Sequence, residues 1–291
     1  MQVPTSGAAT APAIINRVEA ALALRGQRRL KEALDLLSAP AEFSQDVYTL
    51  RGDLQFELGQ LQEAVGSYST VLAFEGDNVY AYHHLALCLR RLGRWAAAAE
   101  AFRRLLTHDP HRDDARIGLG ECLLQLKSLE EALACFDSCW SEASRRQALF
   151  GKATALQLLD RFEEAEQVYQ RLLALDPKAE EAFSNLISLS IELSDFVRVH
   201  RYSLRLLELS PHSIPALQGL TLVALERHEY DTAVHYYTLL LRHLLDGQAA
   251  DSPPSGRAVE YCPKPQAAER LASLRRDLLD CAGQSSDAVP R

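Results

Sequence analysis

Apolar and small residues recur along this chain at helical spacing, and the pattern itself repeats. Segments beginning at Gln45, Val79, Asp113, Arg146, Glu180 and Ile214 fall into register at spacings of 34, 34, 33, 34 and 34 residues, with a shorter first copy from Ile14. Numbering each copy from its start, position 20 reads Ala33, Ala64, Ala98, Ala132, Ala165, Val199 and Ala233. Position 8 is small in most copies: Ala21, Gly52, Ala86, Gly120 and Ala153, then Ile187 and Thr221. Positions 17 and 24 are Leu or aromatic in nearly every copy, as in Trp95 with Phe102 and Phe162 with Tyr169. Proline closes three copies at position 32, as Pro110, Pro177 and Pro211.

The pattern predicts two helices joined by a tight turn in each copy. Small residues at positions 8 and 20 let the two helices approach closely, and the side chains at 17 and 24 fill the space around the contact. Proline cannot sit mid-helix, so position 32 marks the turn into the next copy. One such pair cannot bury its apolar face alone, whereas stacked neighbours share a continuous core. The copy at 180–213 departs most, with Ile187, Val199 and Ser203 in the small, small and aromatic positions. That predicts a splayed pair or a bend there.

At these residues the chain resembles the tetratricopeptide repeat family. The segments Tyr80–Pro110 and Ala148–Pro177 carry the resemblance best, and it extends over residues 14–247. It implies an all-α, right-handed superhelical solenoid of seven helix pairs (14–44, 45–78, 79–112, 113–145, 146–179, 180–213 and 214–247). Residues 1–13 read as a disordered N-terminus. Residues 248–265, with four prolines, read as a linker. Residues 266–282 place Leu271, Leu274, Leu278 and Cys281 on one face, as in an amphipathic helix that caps the array or docks a partner. Residues 283–291 read as a disordered tail.

Composition agrees with helices. The 291 residues hold 50 Leu but only 13 Val and 6 Ile, and β-branched residues are the ones strands favour. Charge is mildly acidic, at 31 Lys+Arg against 39 Asp+Glu, net −8, which argues against nucleic acid as the main partner. No apolar run of membrane-spanning length occurs, and the N-terminal segment lacks the basic and apolar regions of a secretory signal. Six cysteines without paired spacing suit a reducing compartment, so the expectation is a cytoplasmic protein without membrane insertion.

No catalytic, metal or cofactor site is expected. Cys88 and Cys122 both occupy position 10, and Cys135 and Cys139 are four residues apart on a second helix, all explained as buried small residues. The adjacent His83 and His84 point different ways on a helix, and no nucleophile or orienting partner accompanies them. Gly118-Leu-Gly120 lies inside a first helix, not in the strand-to-helix turn that phosphate binding needs.

The resemblance implies that positions 2, 5, 6, 9, 12 and 13 of the first helices line an inner groove. They carry nine acids (Glu19, Asp46, Asp53, Glu57, Asp114, Glu121, Glu181, Glu192, Glu226) against Arg25, Arg90 and Arg91, with Phe56, Tyr80, His83, His84 and Phe150 among them. Asn185 is the one asparagine at position 6, so there is no Asn ladder of the kind that lines sugar-transferase solenoids. Nor does a Lys, Arg and Asn set occur of the kind that clamps a chaperone's C-terminal carboxylate. The expected role is a non-enzymatic scaffold or adaptor. Its candidate groove is Asp46, Asp53, Phe56, Glu57, Tyr80, His83, His84, Asp114, Glu121, Phe150 and Asn185, and the expected ligand is a protein segment with basic and apolar residues. Ordinary surface acidity explains the same charge. A chaperone for secreted or assembling subunits, and a non-catalytic subunit of an enzyme complex, are the alternatives.

Overall fold

The computed structural model describes residues 11–37 and 44–247. Among them every regular element is an α-helix, so the expected all-α repeat solenoid is observed. The chain forms two compact units, residues up to Ala148 and residues from Leu149. The first contains α1 (Ala11–Gly26), α2 (Leu30–Leu37), α3 (Gln45–Glu57), α4 (Leu61–Phe74), α5 (Val79–Arg91), α6 (Trp95–His108), α7 (Asp113–Gln125) and α8 (Leu129–Asp137). The second contains most of α9 (Arg145–Leu158), then α10 (Phe162–Leu175), α11 (Glu180–Glu192), α12 (Phe196–Leu209), α13 (Ile214–Glu226) and α14 (Tyr230–Gly247). The proposed linker, amphipathic helix and tail beyond residue 247 lie outside the described residues.

Helix starts follow the register. Every second helix begins at position 17, from Leu30 to Tyr230, and five of the first helices begin at position 1. Two first helices start early: α9 at Arg145, one residue ahead of its copy, and α1 at Ala11, so residues 11–13, expected to be disordered, are helical. Pro12 falls in the first turn of α1, where a missing N–H removes no helical hydrogen bond.

The small positions are small because backbones meet there. Ala21, Ala33, Ala64, Ala86, Ala98, Ala132, Ala153, Ala165 and Ala233 are all fully buried. The ring at position 24 lies against position 8 of its own copy or position 6 of the next. A Cβ added at Gly52 would stand 2.8 Å from the Tyr68 ring, and one at Gly120 2.7 Å from Phe136. A Cβ at Gly118, in the next copy, would stand 2.4 Å from Phe102.

The divergent copy is not splayed. Ile187, Val199 and Ser203 are all buried. Gly219 on α13 leaves room for all three, since a Cβ there would lie 2.3 Å from the Ser203 hydroxyl and 3.2 Å from Ile187 and Val199. Bulk added in α11 and α12 is matched by its removal from the following helix.

Each first helix ends the same way. At position 15 the backbone turns left-handed in all seven copies: Arg28, Gly59, Gly93, Lys127, Asp160, Ser194 and His228 have φ between 57° and 76°. The next N–H then reaches back to a carbonyl five residues earlier, as in Gln60 to Gln55 (2.8 Å) and Ser128 to Leu123 (3.0 Å). This closes the carbonyls left free at a helix C-terminus. Glycine adopts that conformation without strain, yet only two of the seven are glycine. Lys127→Gly is therefore expected to stabilise the protein by about 0.5–1 kcal/mol, the side-chain strain relieved less the added freedom of the unfolded chain. Urea denaturation checks this, with Lys127→Ala as the control that leaves the midpoint unchanged or lower.

Candidate functional site

In the first unit the expected residues converge on Asp53. Asp53 lies on the third turn of α3, and its side chain is held from three helices. The Tyr68 hydroxyl on α4 and the Tyr80 hydroxyl on α5 each donate to Asp53 Oδ1 at 2.8 Å. The Arg25 guanidinium, at the end of α1, donates through Nη1 to Asp53 Oδ2 at 3.2 Å. Its Nε and Nη2 reach Glu57 Oε1, one turn along α3, at 2.8 and 2.5 Å. Position 9 and position 13 share a helix face, so one guanidinium spans both carboxylates.

An aromatic layer adjoins the carboxylates. The His84 ring lies 4.2 Å from that of Tyr80 and 5.5 Å from that of Tyr68, and meets the Phe56 ring at 90°. His83 crosses His84 edge-on at 5.4 Å. The Arg91 guanidinium sits 4.3 Å above the Phe56 ring, a cation–π contact. Burial lowers the pKa of both histidines. For His84, Asp53 opposes that shift, and for His83, Asp114 does. Burial also raises the Tyr68 and Tyr80 hydroxyls well above the ordinary tyrosine value, and the hydrogen bonds to Asp53 add to it, so both stay protonated donors.

Two further ion pairs continue along this unit. Asp114 on α7 takes Arg112 in a fork (2.8 and 2.5 Å) and faces His83 Nε2 at 3.3 Å. Glu121 pairs with Arg90 of α5. Burial holds the Glu121 carboxyl above the usual carboxylate range although Arg90 pulls the other way. Asp46 stands exposed in the first turn of α3.

These pairs revise the charge count. Within the first unit, six of the counted acids (Glu19, Asp46, Asp53, Glu57, Asp114, Glu121) share their surroundings with Arg25, Arg90, Arg91 and also Arg112, which lies outside the groove positions. Four of the six are already engaged by guanidinium groups of the same chain. The surface is a set of paired charges beside aromatic rings, with four bases, Arg112 included, set among the six acids.

Phe150 and Asn185 belong to the second unit and meet around Tyr169. Asn185 Nδ2 donates to the Tyr169 hydroxyl at 2.8 Å, and that hydroxyl donates to Gln157 Oε1 at 3.3 Å. Phe150 packs against the Tyr169 ring at 6.3 Å between centroids. Tyr169 is fully buried, so the Asn185 amide satisfies a core hydroxyl. Cys88 and Cys122 are buried as expected, with burial pushing their thiols up to about 11 and about 12, whereas Cys135 and Cys139 are only partly buried.

Sequence reasoning missed Tyr68, assigned only to the core, and the reach of Arg25 to Asp53. A signal for the first exists. A tyrosine at buried position 24, in place of phenylalanine, needs a polar partner, and Asp53 at position 9 of the same copy supplies it.

Models of the tetratricopeptide repeat match residues 49–111, 89–148 and 147–179. Human tetratricopeptide repeat protein 7A is 33% identical over 122 residues, 41% of this chain, and the matched stretch is only 14% of that relative's length. A tetratricopeptide repeat protein from Parabacteroides merdae superposes with a TM-score of 0.62 at 18% identity, over 89% of this chain and 97% of that one. YrrB, described as a tetratricopeptide repeat protein with an unusual peptide-binding site, superposes with a TM-score of 0.52 at 18% identity, over 59% of this chain and 89% of its own. Among the described residues no helix is long and apolar enough to cross a membrane.

Proposed function

We propose, from the premise that this chain is a tetratricopeptide repeat protein, that it is a non-enzymatic scaffold or adaptor whose first unit binds a protein segment across α3 and α5. The observation that carries this reading is the layer of Phe56, Tyr80, His83 and His84 beside the Asp53 and Glu57 carboxylates. Tyr80 is exposed at 44% and the two histidines are half-buried, so these rings remain open to a ligand. Their positions are set in advance by hydrogen bonds and ring contacts, which lowers the ordering cost of binding. Rings of this kind, amphipathic and already ordered, supply much of the affinity at protein interfaces. The peptide-binding site named for YrrB is a property of that protein and supports the reading by likeness of fold alone.

The ligand suited to this surface carries an apolar or aromatic residue for the rings and a hydrogen-bond donor for the carboxylates. Cytoplasmic residence belongs to the same proposal and rests on the free cysteines among the described residues. The test is a random array of 12-residue peptides probed with the full-length protein, the best binders then titrated by fluorescence anisotropy. Tyr80→Ala is expected to weaken those binders about tenfold, since truncating an interface aromatic commonly costs more than 1 kcal/mol. Binders unaffected by Tyr80→Ala and by His84→Ala would place the interaction elsewhere.

A further inference from the structure

We infer that the Asp53–Phe56–Glu57 surface is a guanidinium-recognition site that this chain keeps filled with its own Arg25 and Arg91, and that a partner's arginine enters by displacing them. The inference rests on the reading of α3 and α5 as the partner surface and specifies its ligand and its regulation.

Two separate contacts point to the same ligand chemistry. Arg25 comes from α1 and engages both carboxylates with all three guanidinium nitrogens. Arg91 comes from α5, and its guanidinium carbon sits 4.3 Å from the centroid of Phe56, the ring on the same face of α3. One arginine satisfies the acidic half of the site and a different one satisfies the aromatic half. A planar fork with several donors fits both halves. An ammonium group, a point charge, does not reproduce the two-carboxylate span, and arginine is the more frequent cation over aromatic rings.

The acceptor side is fixed and the donor side exchangeable. Asp53 is buried, and Tyr68 and Tyr80 hold its Oδ1 independently of Arg25. By contrast the Arg25 and Glu57 side chains are each about one third exposed, at 33% and 35%, and Arg91 is exposed. Solvent-accessible ion pairs of this kind contribute little net stability. Exchange of one guanidinium for another leaves the electrostatics almost unchanged, so the partner's flanking apolar contacts decide the outcome. A stray basic peptide lacking those contacts gains nothing by displacing Arg25, which makes self-occupation a source of specificity.

The experiment uses the full-length protein and the peptides selected from the array. Binders are expected to be enriched in arginine over lysine. Arg25→Ala is expected to tighten arginine-bearing binders about tenfold, Arg91→Ala to act in the same direction, and arginine-to-lysine replacement in the peptide to cancel most of the gain. Arg25→Gln, which keeps a polar side chain of similar length, provides a second reading, with circular dichroism confirming the fold of each variant. Unchanged affinity in folded Arg25 variants overturns the inference, as does equal gain by lysine peptides. Loss of the fold in both variants also overturns it, because Arg25 would then be a structural strut. If peptides bind and respond to Tyr80→Ala but not to Arg25, only self-occupation fails. If no variant binds any peptide, the partner surface itself fails.

Discussion

Asp53→Ala is expected to produce the largest loss of stability of any single substitution at the site, about 3 kcal/mol, the range for removing one partner from a buried charged hydrogen-bond network. The carboxylate receives three donors. Its removal leaves the Tyr68 hydroxyl, on a fully buried side chain, without its acceptor and frees Arg25 from one of two partners. Tyr80, exposed at its ring, finds water instead. Asp53→Asn retains an acceptor oxygen for the tyrosines and is expected to cost well under half as much. Combining Asp53→Ala with Tyr68→Phe removes the stranded hydroxyl and is expected to recover part of the loss, a coupling that a double-mutant cycle measures. Both tryptophans, Trp95 and Trp140, lie in the first unit, so urea unfolding followed by tryptophan fluorescence reports on the unit concerned. An Asp53→Ala protein as stable as its parent would mean that the tyrosines do not depend on this carboxylate.

Gly118→Ala is the second large effect. Alanine in place of glycine ordinarily stabilises a helix interior by about 1 kcal/mol. Here the new methyl would meet the Phe102 ring at 2.4 Å, and Phe102 is fully buried with nowhere to move. Overpacking of this severity costs about 3 kcal/mol, so a net loss of about 2 kcal/mol is expected. Gly66 is the internal comparison: nothing lies within 4 Å of a Cβ added there, so Gly66→Ala on α4 is expected to stabilise. If Gly118→Ala and Gly66→Ala shift the urea midpoint in the same direction, the close approach of α6 and α7 is wrong. Introducing Phe102→Leu alongside Gly118→Ala is expected to relieve part of the strain.

The two substitutions share a geometric origin. The side chain at position 24 lies against position 8 of its own first helix in some copies and against position 6 of the next in others. Phe102 meets Gly118, Tyr68 meets Gly52 and His84, and Tyr169 meets Asn185. Position 6 thus answers what stands at position 24 before it. A phenylalanine can face glycine, whereas a tyrosine is followed by an imidazole that stacks or an amide that donates. Asn185 is explained by the buried Tyr169 hydroxyl, without any ligand.

The repeat period, the start of nearly every helix and the identity of the buried alanines were legible in the sequence, because each depends on contacts within one copy or between adjacent copies. Local register determines those contacts, and the 34-residue spacing exposes it. The aromatic residues and carboxylates of the site were legible as candidates for the same reason. Their electrostatic character was not. Arg25, counted among the groove bases, is 28 residues from Asp53 and 32 from Glu57 yet pairs with both, and Arg112, outside the inner positions, pairs with Asp114. A residue count adds charges without regard to which side chains can reach one another. The stacking of successive helices brings Arg25 to Asp53 and Glu57 and Arg90 to Glu121, whereas Arg112 reaches Asp114 within two residues of the same chain segment. The all-α repeat follows from the sequence register, since every helix type and nearly every helix start depends on contacts within or between adjacent copies. That Arg25 and Arg90 pair with carboxylates of α3 and α7 is settled only by the packing of the helices, because those partners lie 28 to 32 residues apart in the chain.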